Sequence, residues 1–149
     1  MDDLDHRIIE ELQENFPLET HPYEIMADNL GISAEQLWDR VRVLKESGVI
    51  RRMGFSIDSR KIGYSSTLAA VKVSQDRVEE ASVLIAVYPQ ITHSYLREGA
   101  FNIWFTIIAE DNDRVAAILE EIRCKLDLSE DDVMDLPVEK LFKLDARFK

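Results

Sequence analysis

Three side chains with different chemistry alternate along one short stretch: His93, Tyr95 and Arg97. An imidazole moves protons near neutral pH or ligates a metal ion, and a phenol orients or relays them. A guanidinium grips a carboxylate through two parallel hydrogen bonds. Past Gly99-Ala100, Asn102 and Trp104 repeat the two-residue spacing. If Gly99-Ala100 is a two-residue hairpin loop, with glycine suited to the first place of a type II′ turn, the register follows. Glu98 then faces Phe101, Arg97 faces Asn102, Tyr95 faces Trp104, and His93 faces Thr106. Strand side chains alternate, so one sheet face carries His93, Tyr95, Arg97, Asn102, Trp104 and Thr106. The other carries Leu96, Phe101, Ile103, Phe105 and Ile107, a core face. The polar-aromatic face suits a flat, anionic, aromatic ligand: Trp104 and Tyr95 for the ring, Arg97 for a carboxylate, His93 for a proton or iron.

Each residue also has a plainer reading. Arg97 can pair with Glu98, His93 can be structural, and Tyr95 and Trp104 can simply pack. Arg51 and Arg52 can clamp ligand carboxylates, touch a DNA backbone, or serve solubility.

The elements that must position these residues are legible in the periodicity. A helix starts near Asp3, with Leu4, Ile8, Ile9 and Leu12 on one stripe, and Pro17 stops it. A second runs from Pro22 to Gly31, carrying Ile25, Met26 and Leu30 inward. Ser33-Ala-Glu-Gln36 reads as a capping box opening a third helix, with Leu37, Val41 and Leu44 inward and Gly48 at its close. Three such helices read as a helix-turn-helix, and the β-rich Val49–Phe55 takes the place of a wing. From Thr67 the order is strand (to Val73), helix (Gln75–Val87), strands (Ile91–Arg97 and Phe101–Ala109), helix (Asn112–Leu126) and a last strand over Val138–Leu144. The fold class is α+β: a winged helix-turn-helix domain over residues 1–57, then a ferredoxin-like βαββαβ domain over 58–149. One four-stranded sheet with two helices on one face leaves the other face, with apolar positions such as Ala69 and Val71, for a ligand or partner.

Composition narrows the function. The chain has 149 residues, 46% hydrophobic, with five glycines and four prolines, which excludes disorder and collagen-like repeats. A lone cysteine, Cys124, excludes an intrachain disulfide framework or a multi-cysteine metal site. No apolar run approaches the ~20 residues of a membrane span, and acidic residues follow Met1 where a signal peptide is basic, so a cytoplasmic protein with no membrane partner is expected. Net charge is −11, from 18 basic and 29 acidic residues. Residues 1–55 alone carry six Lys/Arg against twelve Asp/Glu, or −6. On the expected recognition helix Glu35, Asp39 and Glu46 interrupt Arg40, Arg42 and Lys45, so the charge argues against DNA as a partner.

A helix-turn-helix followed by β-α-β-β-α-β resembles the Lrp/AsnC transcription regulators over nearly the whole chain. Ile50-Arg51-Arg52-Met53-Gly54, Thr92-His93-Ser94-Tyr95-Leu96-Arg97-Glu98, Asn102-Ile103-Trp104-Phe105-Thr106, and Leu136-Pro137 with Lys140-Leu-Phe-Lys143 bring it closer to an enzymatic branch, the siroheme decarboxylases. That resemblance implies a carboxy-lyase of alternative haem biosynthesis, turning siroheme into 12,18-didecarboxysiroheme by removing two acetate carboxyl groups. It assigns catalytic roles to His93 and Tyr95, with His93 as general acid or as ligand to the tetrapyrrole iron. Arg97, Arg51, Arg52, Trp104 and Asn102 fall to substrate binding. Neither a metal of the protein's own nor a cofactor beyond the iron tetrapyrrole is expected. The partners implied are siroheme or a related haem and a paralogous subunit in a heterodimer, or a second copy in a homodimer. Members of the branch often carry a further histidine in the hairpin turn, where this chain has Gly99-Ala100. The rival readings are an Lrp/AsnC-type regulator and a haem-responsive sensor.

Overall fold

The computed structural model describes residues 1–142, which divide into two compact units, Met1–Ser56 and Ile57–Phe142. The first holds α1 (Asp3–Glu14), α2 (Pro22–Leu30) and α3 (Ala34–Glu46). Asp2 caps α1 by accepting the Asp5 amide, and the Asp5 carboxylate accepts the Asp2 amide in return, each at 2.9 Å. Gly31 ends α2 at φ 72°, a left-handed conformation that glycine adopts without a Cβ clash. The Ser33 hydroxyl accepts the Gln36 amide at 3.1 Å and starts α3. Ile8, Met26, Leu37, Val41 and Leu44 close over one another as this unit's core.

The expected wing strand is absent. Val49–Phe55 forms no strand, because every strand among the described residues belongs to the sheet of the other unit and this segment finds no ladder to join. Phe55, which would have packed along a wing, is exposed.

The second unit runs β1 (Ser65–Val71), α4 (Val78–Ala86), β2 (Ile91–Leu96), β3 (Ile103–Ala109), α5 (Asn112–Lys125) and β4 (Val133–Pro137). Its sheet is antiparallel throughout, in the order β2-β3-β1-β4. Ala69, Val71, Ile103, Phe105 and Ile107 face Ile85, Ile118, Ile122 and Leu126, all buried. Burying a side chain such as Phe105 contributes roughly 1.5–3 kcal/mol. Ala69 and Val71, expected on the open face, therefore lie on the core face; the register puts Leu68 and Ala70 on the open one.

The last strand lies at Val133–Pro137 and not from Val138 onward. Ser129–Asp132 does turn the chain, the Ser129 hydroxyl donating to Asp132 at 2.6 Å, but the strand begins immediately after it. It pairs Val133 with Val71 and Pro137 with Thr67, and the Thr67 hydroxyl donates to the Asp135 carboxylate. Asp and Pro are poor strand formers, which hid the element; register against β1 decides it. Residues 138–142 are irregular, and 143 and 144 lie outside the described residues.

Both outer strands are irregular. β2 carries a bulge between Ile91 and His93, and β4 is five residues long and ends on a proline. Cys124 is exposed on α5, with its Sγ 3.2 Å from Glu120. No helix among the described residues is long and apolar enough to cross a membrane.

Candidate functional site

The β2–β3 hairpin builds the site. Tyr95 pairs with Trp104, His93 with Thr106 and Leu96 with Ile103, the register the alternation predicts. Arg97 joins it through its amide, which donates to the Asn102 carbonyl at 2.8 Å. The connection itself is a four-residue bend over residues 98–101, wider than a two-residue loop. Gly99 there has φ 132°, open to glycine and strained for other residues. Leu96, expected in the core, is exposed at the hairpin end.

On the face away from the helices, His93 and Tyr95 hold their rings 6.3 Å apart at 17°, nearly parallel. The His93 Nδ1 lies 3.0 Å from the Thr92 hydroxyl, and Nε2 is the ring nitrogen left without a hydrogen bond to any described residue. Thr106 and the half-buried Trp104 continue the face on β3, and Leu68 and Ala70 on β1. Met134 and Leu136 close it on β4. The face thus has a polar-aromatic half and an apolar half. Apolar positions are expected on this face, but at Ala69 and Val71; the register of β1 assigns them to Leu68 and Ala70 instead.

Asn102 is the site residue tied most closely to the fold. It is buried, its Oδ1 accepts the Val73 amide at 3.0 Å, and its Nδ2 donates to the Val73 carbonyl at 2.8 Å. Its own amide donates to Val71 at 3.1 Å. The side chain stands in for a strand backbone where β1 and β3 separate, using one donor and one acceptor of the amide. Asn102 thus ties the hairpin end to the core while also lining the concavity beside Arg97.

Arg97 is exposed, with its guanidinium carbon 5.5 Å over the Trp104 ring. The Trp104 Nε1–H donates to the Phe101 carbonyl at 2.9 Å. A shallow concavity of about 440 Å³ opens beside Arg97, lined also by Gln75, Leu96, Glu98, Gly99 and Asn102. Arg51 and Arg52 belong to the other unit and are exposed.

The arginines fall into two classes. Arg40 holds Asp2 at 2.6 Å and Asp5 at 3.0 Å, and Arg42 holds Asp39 at 2.8 Å. Arg60, Arg77, Arg114 and Arg123 each pair with a carboxylate, and Arg7 donates to the Leu30 carbonyl. Among the described arginines only Arg51, Arg52 and Arg97 have side chains without a hydrogen bond or ion pair. The Glu98 carboxylate does not pair with Arg97. Hydrogen bonds from the Asp5 amide first, then Arg40, hold the Asp2 carboxyl below its ordinary value, and the Asp2 and Asp5 carboxylates in turn raise Arg40.

Residues 61–143 match the AsnC-like ligand binding domain, and residues 5–51 match the siroheme decarboxylase NirDL-like HTH domain. The chain is 38% identical, over its whole length and 84% of that protein, to the siroheme decarboxylase alpha subunit of Desulfovibrio desulfuricans. It is 34% and 32% identical to the siroheme decarboxylase NirG and NirD subunits of Pseudomonas aeruginosa, over 99% of the chain and 99% and 96% of theirs. Among solved structures, the siroheme decarboxylase NirDL in co-complex with an iron-uroporphyrin III analogue superposes with a TM-score of 0.70 at 28% identity. That superposition covers 99% of this chain and 48% of that one.

Proposed function

We infer the working of this protein from one premise: the chain belongs to the siroheme decarboxylases, carboxy-lyases in which a helix-turn-helix precedes an AsnC-like ligand-binding domain. It is a siroheme decarboxylase subunit. The observation that carries the residue assignment is the class of unpaired arginines. A tetrapyrrole with peripheral carboxylates needs cations that the fold has not already neutralised, and among the arginines, which alone offer a two-pronged grip, these are Arg97, Arg51 and Arg52.

The reaction converts a ring acetate, –CH₂–COO⁻, and a proton into a ring methyl and carbon dioxide, twice. The bond between methylene and carboxylate breaks, and its electron pair is taken into the conjugated ring before the proton arrives. The tetrapyrrole substrate is therefore its own electron sink, and no further cofactor is needed. The protein has to hold the carboxylates, keep water from the departing group and deliver the proton. Arg97 holds a carboxylate at the hairpin end. His93 delivers the proton from its Nε2 or ligates the substrate iron, and Tyr95 stacks beside it as the orienting hydroxyl.

The paired NirD and NirG subunits among the relatives support a heterodimer with a paralogous chain. The apolar half of the open sheet face, Leu68, Ala70, Met134 and Leu136, is the surface such a subunit would cover, and its residues would complete the hairpin turn that here is Gly99-Ala100. We place the enzyme in the cytoplasm, where the acidic surface and exposed free thiol are at home. The helix-turn-helix serves as a structural domain, since Arg40 and Arg42 of its recognition helix are bound to carboxylates of its own unit.

The deciding experiment incubates the purified protein anaerobically with siroheme, alone and with a paralogous subunit, and follows mass and absorption. Loss of two carboxyl groups is expected. A spectral shift without mass loss in either mixture would make the protein a tetrapyrrole sensor and sink the assignment of catalysis to it.

A further inference from the structure

We propose that Trp104 is a positioning residue for Arg97, a shelf that aims the guanidinium at a substrate carboxylate; this rests on the reading of Arg97 as a carboxylate anchor. The indole is held from two sides. Its Nε1–H donates to the Phe101 carbonyl at 2.9 Å, and it lies across the ladder from Tyr95. The guanidinium carbon sits 5.5 Å over that fixed ring. Contact through the π face engages the flat side of a guanidinium and leaves the N–H donors around its rim. None of those donors is taken by a described residue.

The backbone beneath is equally fixed. Arg97 donates its amide to the Asn102 carbonyl at 2.8 Å, and the Asn102 side chain clamps both polar groups of Val73. A long side chain at an exposed hairpin end otherwise samples many rotamers, and binding a carboxylate would have to freeze them. The shelf orders Arg97 beforehand, which is preorganisation in the ordinary sense. Trp104 therefore acts through Arg97, while contact with the ligand's ring falls to Tyr95 and His93.

The test measures KM and kcat for siroheme with the assembled enzyme carrying Trp104→Leu, Trp104→Phe, Arg97→Ala, and each Trp104 change combined with Arg97→Ala. Trp104→Leu is expected to raise KM about two- to fivefold, the fold-change equivalent to the ~0.5–1 kcal/mol of an exposed cation–π contact, with kcat nearly unchanged. Trp104→Phe keeps a π face and is expected to restore most of that loss. In the Arg97→Ala background neither Trp104 change should add anything. Equal costs in both backgrounds would mean that Trp104 touches the ligand directly, and the shelf would be wrong while the anchor stands. A wild-type KM for Arg97→Ala alone would instead remove the anchor, and the shelf with it. Should Trp104→Leu fail to fold, Trp104→Phe decides the cycle. Its lost bond to Phe101 should raise KM about twofold with Arg97 present and leave it unchanged without.

Discussion

Two basic regions of this molecule were built from the same residue type and ended in opposite states. On α3, where a helix-turn-helix meets DNA, Arg40 and Arg42 are bound by Asp2, Asp5 and Asp39. At the end of the β2–β3 hairpin, Arg97 has an aromatic ring beneath it and no carboxylate paired with it. A guanidinium already satisfied within its own fold must break those bonds before it can hold a phosphate. One resting on a π face has its donors ready. The difference teaches that counting Lys and Arg on an element says little; what matters is which are left over after the fold has taken its share.

The sharpest way to break this contrast is through the chemistry placed beside Arg97. His93→Ala, in the enzyme assembled with an unaltered partner subunit, is expected to lower turnover by about 10²–10⁴ while siroheme still binds. Stopped-flow binding and single-turnover assays separate the two effects. A parallel loss of affinity with a changed siroheme spectrum would assign His93 to the iron and not to the proton.

Next in size is Arg97 itself. Arg97→Ala should weaken siroheme binding about ten- to a hundredfold, since hydrogen bonds to a charged group contribute roughly 1.5–3 kcal/mol. Arg97→Lys keeps the charge, loses the fork and should recover part of that affinity. Arg42→Ala, made on the other side of the contrast, should leave titrations with siroheme unchanged. If both variants bind as wild type, the hairpin is not the working site of this subunit.

Asn102 sharpens the comparison differently, because its effect should be on stability. Asn102→Ala leaves the Val73 amide and carbonyl without partners and should cost about 1–2 kcal/mol in urea unfolding. A variant of full stability with weakened binding would assign Asn102 to the ligand and not to the fold.

The smallest effects belong to α3. Titrations of labelled duplexes at physiological salt should show nothing tighter than about micromolar, the weak end of non-specific binding. A nanomolar, salt-sensitive complex would overturn the contrast from the DNA side. The Asp2 carboxyl is depressed by the Asp5 amide and Arg40, so its contribution to stability is present above its unfolded pKa of about 3.9. That contribution disappears as pH falls through the lower folded value. Circular dichroism of Asp2→Asn should therefore converge with wild type at low pH and fall below it, slightly, near neutrality.

Much of this was legible in the sequence, and the limits have physical causes. The hairpin register could be read because alternation has a period of two and a glycine marked the turn; Tyr95 does face Trp104. The hold of Asn102 on Val73 was not legible, because alternation says which face a side chain leaves by, not whether it bends back to the backbone beyond a neighbouring strand. The wing failed for want of a partner strand, and β4 was displaced because Asp135 and Pro137 mask a strand that only pairing with β1 reveals. The pairing of Arg40 with the start of α1 joins residues far apart in the chain, and no local pattern announces it.

The irregular margins of the sheet carry one more consequence. A smooth outer strand offers free amides and carbonyls to any passing chain, and sheets so exposed lengthen sideways into mixed or fibrous assemblies. Here the bulge in β2 breaks one margin, and the shortness of β4 with its closing proline, which has no amide to give, breaks the other. Growth of the sheet by lateral zippering is thus discouraged on both flanks, which leaves the broad face of the four strands, and not their edges, as the open surface.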